Sequence, residues 1–141
     1  MKRVLLPAGW TKPRGYSEGM AARGTVVTIA GQVGWNEHHK LVGPRFVDQA
    51  RQALQNICAI LADAGGEPQD IVRLTWFVTS KSDYLAERKA LGEAYRSVMG
   101  KHYPPMTAVQ VVALMVTDAL VEIEATALIS NQHVASPALA D

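Results

Sequence analysis

The chain has 141 residues, 48% of them hydrophobic and 19% charged, with a formal net charge of +1 at pH 7, which is typical of one globular domain that buries a core. The near-neutral charge, without a long run of like charges, argues against nucleic acid as a partner. A single cysteine rules out a disulfide within the chain, and no apolar segment reaches the length of a signal-peptide core or a membrane span, so we expect a cytoplasmic protein with no membrane partner.

The ends of the chain are expected to be irregular. Proline, glycine and short polar stretches are frequent at 1–14 and at 130–141. The apolar patterns lie between them, at about 15–129, and no linker divides them. We therefore expect one domain over 1–141 with its folded core at about 15–129.

Two strands are expected at the start of this core. Residues 16–22 form the first and 25–33 the second, joined by an Arg-Gly turn at 23–24. The stretch 35–44 is a polar loop, and a third short strand is expected around 41–42. The chain thus opens with a small set of neighbouring strands.

Two helices follow, with a strand at 71–79 between them. The first is expected over 46–64, where apolar residues recur every three or four positions. They are Phe46, Ala50, Leu54, Ile57, Cys58, Leu61 and Ala64. The second is expected over 83–99, with Ser82 as its N-cap and Arg88 on its inner face.

The stretch from 104 to 129, PPMTAVQVVALMVTDALVEIEATALI, predicts two strands joined by a short turn. Residues 107–116 are apolar on both faces, whereas 120–129 alternate. In the alternating strand one face is apolar and the other carries Glu122 and Glu124. Such a face of a sheet is usually either apolar or exposed to water, so the two carboxylates mark it as a candidate functional surface.

The order of elements, β-β-(β)-α-β-α-β-β, predicts an α+β sandwich. One mixed β-sheet would carry both helices on one face. The two-sided apolar pattern at 107–116 requires that the other face also be covered, and no sequence remains to cover it. A homo-oligomer is the economical explanation.

Several segments together resemble the Rid (YjgF) family of reactive intermediate deaminases. They are Gly15-Tyr16-Ser17, Ile29-Ala30-Gly31-Gln32, the helix QARQALQNI at 49–57, Asp70-Ile71-Val72-Arg73, the strand start Pro104-Pro105-Met106-Thr107 and the strand Val121-Glu122-Ile123-Glu124-Ala125. The resemblance covers about 15–129, and its specificity lies in the order and spacing of the segments. It implies a chorismate-mutase-like fold, trimeric around a sheet-lined barrel, with active sites in clefts between subunits.

The resemblance also assigns roles to single positions. The family's water-positioning glutamate corresponds to Glu122, the candidate catalytic residue, and its pocket tyrosine to Tyr16. Its Ser-Gly pair corresponds to Ala30 and Gly31, so the serine is replaced. Its arginine, which holds the substrate carboxylate in a bidentate pair, is replaced by Met106.

Each of these positions also has a purely structural interpretation. Glu122 lines a working cleft or is a solvated or interface-paired carboxylate, and Tyr16 caps the pocket or packs at an interface. Met106 is a pocket wall or an edge residue without ligand contact. Arg88 pairs with a glutamate across an interface or supplies a replacement anchor for an anionic ligand.

The sequence therefore predicts a Rid-like homotrimer that binds a small enamine, imine or carbonyl metabolite. If active, it is a hydrolase similar to the 2-iminobutanoate/2-iminopropanoate deaminases with an altered substrate. The alternative is a non-catalytic small-molecule-binding or regulatory trimer. No cofactor is expected, because dinucleotide and phosphate-loop motifs are absent, and no metal, because the adjacent pair His38 and His39 lacks a third ligand at a known spacing.

Overall fold

The computed structural model describes residues 2–131, which form six β-strands and three α-helices. The strands are β1 (Lys2–Leu5), β2 (Gly19–Ala22), β3 (Thr25–Val33), β4 (Ile71–Val78), β5 (Met106–Gln110) and β6 (Val121–Ile129). The helices are α1 (Phe46–Asp63), α2 (Lys81–Ala86) and α3 (Arg88–Met99), with a 3-10 turn at Pro68–Asp70 before β4. Among these described residues, no helix is both long and apolar enough to cross a membrane.

Four strands form one mixed sheet in the order β3-β6-β4-β5. β6 pairs antiparallel with β3 and β4, and β4 pairs parallel with β5. The predicted hairpin between 107–116 and 120–129 is therefore wrong, because β4 lies between the two strands. A parallel pair needs a crossover connection, and α2 and α3 supply it between β4 and β5.

β5 is shorter than the sequence pattern suggests. It ends at Gln110, and the apolar residues that follow it leave the sheet. Val112 and Met115 are 103% and 97% exposed. The apolar pattern of 107–116 thus belongs partly to an exposed segment and only partly to a strand.

α1 confirms the helix predicted over 46–64, and its apolar face forms the centre of the core. Ala50, Leu54 and Ile57 are fully buried against β3 and β6. The helix ends at Asp63, and Gly65, two residues later, has a φ of 84° that suits glycine. The amide of Gly66 donates to the carbonyl of Leu61 at 3.0 Å. The α+β sandwich with its helices on one face of a mixed sheet is therefore the observed architecture.

The alternation predicted for the last strand is confirmed in β6. Its odd-numbered residues from 121 to 129 are buried under the helices, whereas Glu122 and Glu124 face the opposite side. In β4 the alternation is interrupted near its start: Ile71 and Leu74 are both buried, because the register with β6 slips between Ile71 and Arg73. We call the side of the sheet away from the helices the open face.

The second predicted helix, 83–99, is two helices. The backbone of Glu87 leaves the helical region, with φ −104° and ψ 22°, and separates α2 from α3. Ser80, not Ser82, caps α2, its Oγ accepting an amide N–H at 3.1 Å. Because α3 begins afresh at Arg88, this side chain is exposed rather than on an inner face.

The N-terminal segment is more ordered than expected. The stretch 1–14 was predicted to be irregular, but β1 lies within it and pairs antiparallel with β2 as a separate two-stranded sheet. The strand expected at 16–22 begins only at Gly19. All four residues of β1 are exposed, so the strand has no buried face. Without a buried face its residues show no alternation of apolar and polar side chains from which a strand could be predicted.

The third strand expected around 41–42 is absent from the described residues. An isolated bridge between Trp35 and Leu41 is what the loop forms there. Of the predicted C-terminal tail, 130–141, residues 132–141 lie outside the described part of the chain.

Candidate functional site

A cavity of about 680 Å³ lies between the N-terminal segment, the β4–β5 edge of the sheet and helices α2 and α3. We call it the aromatic cavity, because all four tyrosines of the chain and Trp76 line it. The tyrosines are Tyr16, Tyr84, Tyr95 and Tyr103. Three residues that the sequence predicted to bind substrate meet here: Tyr16, Arg88 and Met106.

Tyr16 reaches the cavity because its neighbour is fixed to the segment before β5. The amide of Ser17 donates to the carbonyl of Pro104 at 3.2 Å, and its hydroxyl donates to the carbonyl of Tyr103. Met106, the first residue of β5, pairs with Leu74 of β4 and is half-buried against the core. Both residues therefore lie at the rim where β5 begins, on the helix side of the sheet.

The far wall of the cavity is a set of packed aromatic rings. Tyr95 and Tyr103 stack with centroids 5.6 Å apart, and Tyr84 meets Trp76 edge-on at 6.4 Å. The hydroxyl of Tyr95 donates to the carbonyl of His102 at 2.6 Å, and burial raises the pKa of this phenol. Burial also raises the pKa of Tyr84, an effect that the nearby Arg88 opposes. Tyr84 and Tyr95 are therefore neutral hydrogen-bonding groups at neutral pH.

Sequence reasoning missed several residues of this cavity. Its cationic side chains are Lys12, Arg14, Arg88 and Arg96, and of these only Arg88 was singled out. Lys12 and Arg14 lie in the segment expected to be irregular, and Arg96 lies on the exposed side of α3. The alternation of apolar residues in β4 indicates that Trp76 is a core residue, but it does not indicate that the ring also lines a cavity.

The other three predicted site residues form a second cluster, on the β3–β6 pair. The register between these strands shifts between Ile29 and Gln32, so Ala30 and Gly31 form a β-bulge beside Glu122. The fit is tight: a Cβ atom on Gly31 would lie 2.8 Å from Cδ of Glu122. We call these residues the bulge cluster.

The start of β6 is held in place by a buried amide. Gln49 of α1 is fully buried, and its Oε1 accepts the amide N–H of Leu120 at 2.8 Å. Its Nε2 donates to the carbonyls of Gly43 and Asp118 at 2.8 and 3.2 Å. These bonds fix the strand two residues before Glu122, which limits how far the carboxylate can shift along the sheet.

The aromatic cavity and the bulge cluster lie on opposite sides of the sheet within one chain. Met106 pairs with the buried Leu74, so its side chain is on the helix side. Glu122 pairs with Phe77, and its neighbours in β6 are buried under the helices, so it points to the open face. The structure therefore brings the six predicted site residues together as two groups of three.

Other titratable residues do not join either group. His102 is half-buried with Nε2 2.7 Å from the carbonyl oxygen of Ile71, and burial lowers its pKa. Burial raises the pKa of the Cys58 thiol, which does not favour a nucleophilic thiolate. His39 stacks on Trp35 in the exposed loop, and within residues 2–131 no group of three or more metal-ligating side chains occurs.

Comparisons with known proteins agree with the resemblance seen in the sequence. Residues 11–129 match the protein family described as Endoribonuclease L-PSP. A RutC family protein of Pyrococcus horikoshii is 35% identical over 129 residues, covering 90% of this chain and 98% of the relative. The putative reactive intermediate deaminase TdcF of Escherichia coli K12 is 33% identical over 108 residues, covering 74% of this chain and 80% of TdcF.

A solved structure shows the same fold. The Rid-family protein YyfB from Yersinia pestis superposes with a TM-score of 0.80 at 33% identity, covering 91% of this chain and 98% of that protein. A putative endoribonuclease from Thermotoga maritima superposes with a TM-score of 0.66 at 30% identity, covering 93% of this chain and all of that one. The likeness extends over nearly the whole of the described chain.

Proposed function

The chain belongs to the Rid (YjgF) family, and from this premise we propose that it binds a small enamine, imine or carbonyl metabolite in a cleft between subunits of a cytoplasmic homotrimer and hydrolyses the imine form. The observation that carries the proposal is the division of the six site residues into two groups on opposite sides of the sheet. A single chain does not complete such a site. A second chain that packs its open face beside the aromatic cavity of the first would bring the two groups together.

The open face also supports an assembly. Val26 and Val109 lie exposed in β3 and β5, with relative exposures of 60% and 43%. Glu124 and Thr126 of β6 line a small polar depression on this face together with Arg73. A sheet face with apolar edges and a few polar groups matches the composition of an interface between identical subunits.

The chemistry assigned to this cleft is the hydrolysis of a carbon–nitrogen double bond. Water adds to the imine carbon, the carbon–nitrogen bond of the adduct then breaks, and a carbonyl compound and ammonia are released. The Glu122 carboxylate accepts a proton from the attacking water and passes it to the imine nitrogen, and it carries the hydroxyl proton of the adduct to the same nitrogen as the carbon–nitrogen bond breaks. Met106 and Tyr16 form the wall that orients the substrate, and Arg88 attracts its anionic group.

Paired glutamine variants test the role of the carboxylate. An amino-acid oxidase supplies imines from a panel of amino acids, and their loss is followed with a trapping reagent. We expect Glu122→Gln to lower kcat by about 10²–10⁴, the usual contribution of general acid–base catalysis. Glu124→Gln, two residues along the same strand face, is the matched control and should behave as the wild type. Equal rates in both variants would remove Glu122 from the mechanism.

Oligomeric state and the position of Met106 are tested separately. Light scattering after size exclusion should give about three times the chain mass of 15.3 kDa. A stable monomer at micromolar concentration would contradict the cleft between subunits.

Met106→Arg should bind pyruvate or 2-oxobutanoate at least about tenfold more tightly than the wild type, since arginine pairs with a carboxylate in two hydrogen bonds. An unchanged affinity in a folded trimer would take Met106 out of the ligand site.

A non-catalytic binding protein is the second candidate, and two substitutions favour it. Met106 stands where the family has its substrate-binding arginine, and Ala30 stands where it has serine. Both changes remove polar groups from the proposed cleft while its volume remains. Ligand binding without any turnover above the Glu122→Gln background would establish this alternative in place of the hydrolase.

A further inference from the structure

The aromatic cavity has an unbalanced charge. Lys12, Arg14, Arg88 and Arg96 line it, and no carboxylate of residues 2–131 does. The ion pairs formed within the described residues lie elsewhere, between His38 and Glu37 and between Arg51 and Asp48. The four cations of the cavity therefore lack an acidic partner in this part of the chain.

Four like charges around one concavity repel one another, and the low-dielectric walls strengthen the field between them. Proteins keep such an arrangement where an anion neutralises it. Arg88 adds to the effect because it is the first residue of α3, where the helix dipole is positive. Guanidinium groups also match carboxylates and phosphates in geometry, and three of the four cations are arginines.

The walls add a second requirement. Five aromatic side chains line the cavity, so a flat unsaturated body has rings to pack against. Trp76 is 2% exposed, and its indole N–H has no hydrogen-bond partner among the described residues. A buried donor left unpaired is unfavourable, and an acceptor in the cavity wall or on a ligand would satisfy it.

The volume points the same way. A cavity of about 680 Å³ falls within the range of about 300–1,000 Å³ that takes drug-sized ligands. An imino acid of three or four carbons with one carboxylate would use one of the four cations and would leave most of the ring surface in contact with water. The methionine at position 106 therefore does not abolish anion binding, because the four cations of the same cavity bind the anion instead.

We infer that the aromatic cavity takes a planar aromatic or conjugated anion that carries at least two negative charges. The inference rests on the proposed function in taking this cavity as the ligand-binding half of the cleft, and it names the class of ligand. Arg88 and Arg96 hold the anionic groups from α3, while Arg14 and Lys12 close over them from the N-terminal segment. The rings of Trp76 and the tyrosines contact the planar body.

Three probes that share one benzene ring test the charge requirement on the full-length protein by calorimetry. They are isophthalate with two charges, benzoate with one and acetophenone with none. We expect isophthalate to bind at least about tenfold more tightly than benzoate, and benzoate more tightly than acetophenone. The preference for isophthalate should weaken as salt is raised, because the cations are near the surface.

Charge-removing variants test the location. Arg88→Gln and Arg96→Gln should each weaken isophthalate binding about tenfold or more and change acetophenone binding little. Arg45→Gln, an arginine that lies before α1 and does not line the cavity, is the matched control and should bind isophthalate as the wild type does. Circular dichroism checks that each variant is folded, and the probe series on the wild type stands even if one is not.

The outcomes separate this inference from the proposed function. Isophthalate and acetophenone bound equally well, or no probe bound at all, would overturn the dianion inference. So would a loss of binding that is as large in Arg45→Gln as in Arg88→Gln. The proposed hydrolysis is judged by Glu122→Gln against Glu124→Gln, so it can stand when the ligand class fails, and the ligand class can stand in a protein without turnover.

Discussion

Replacing Gly31 with alanine tests whether the β3 bulge and Glu122 pack as one unit. The added Cβ would lie 2.8 Å from Cδ of Glu122 and 2.9 Å from its Oε2. Contacts between carbon atoms are most favourable at about 3.5–4.0 Å, so the carboxylate must move by roughly 0.7–1.2 Å. The φ angle of Gly31 is not in the left-handed region, so the contact and not the backbone decides the effect.

The magnitude follows from what has to move. Overpacking costs about 1–3 kcal/mol, and the obstacle here is the end of a half-buried side chain, so we expect a loss of about 1 kcal/mol in the free energy of unfolding. In a Glu122→Ala background the obstacle is gone. There Gly31→Ala should be neutral or stabilise by up to about 1 kcal/mol, because alanine restricts the unfolded chain.

The assay is a double-mutant cycle by urea unfolding at one fixed protein concentration, which keeps any assembly equilibrium constant. The expected coupling between Gly31 and Glu122 is about 1–2 kcal/mol. Gly34→Ala is the control, because its Cβ would lie 2.4 Å from the backbone Cα of Gln49, which cannot yield. Its cost should be larger and the same in both backgrounds. An equal cost of Gly31→Ala with and without the glutamate would refute the packing of the bulge cluster.

Three further predictions concern stability. Gly92→Ala should raise the free energy of unfolding, measured in urea, by up to about 1 kcal/mol, because Gly92 is inside α3. The added Cβ would lie 3.3 Å from Nη1 of Arg96 and displace the guanidinium, so the same variant should bind isophthalate more weakly in a titration. Ser80→Ala should lower the thermal midpoint by removing the cap of α2, a loss of about 1 kcal/mol that Ser82→Ala should not reproduce. Burial lowers the pKa of His102 below its ordinary 6.5, so below about pH 6.5 the unfolded chain binds more protons than the folded one and the free energy of unfolding falls. Urea unfolding should therefore give a lower stability at about pH 5.5 than at about pH 8, and His102→Asn should reduce this difference.

The elements that the sequence predicted well are those with a strong local period. α1 and β6 match their expected ranges within a residue or two, because their buried faces recur every 3.6 or every two residues. β3 also matches its range, although its bulge interrupts the alternation of buried residues. The break at Glu87 interrupts no apolar stripe, so a single helix was the natural interpretation. The partner of β5 was mistaken because pairing depends on contacts between distant segments, which a local pattern does not encode.

The candidate site was predictable as a set of residues and not as a shape. The resemblance named Tyr16, Met106 and Glu122 and placed the site between subunits, but it did not say which side of the sheet each residue faces. The cations that line the aromatic cavity could not be predicted from the sequence either, because they come from segments that are distant in the chain. Arg14 and Arg96 are ordinary surface residues in their own segments, and their meeting depends on the bridge between Ser17 and Pro105.

The position of β6 has a consequence for how the protein is made. This strand is the last element of the described chain, yet it lies in the middle of the sheet, between β3 and β4. During synthesis β3 and β4 are complete long before the strand that joins them, and their edges stay unpaired until it leaves the ribosome. Such edges are templates for pairing between chains, so a nascent chain that stalls before Val121 would be prone to aggregate. Folding of the whole sheet is therefore expected only after translation has passed Ile129.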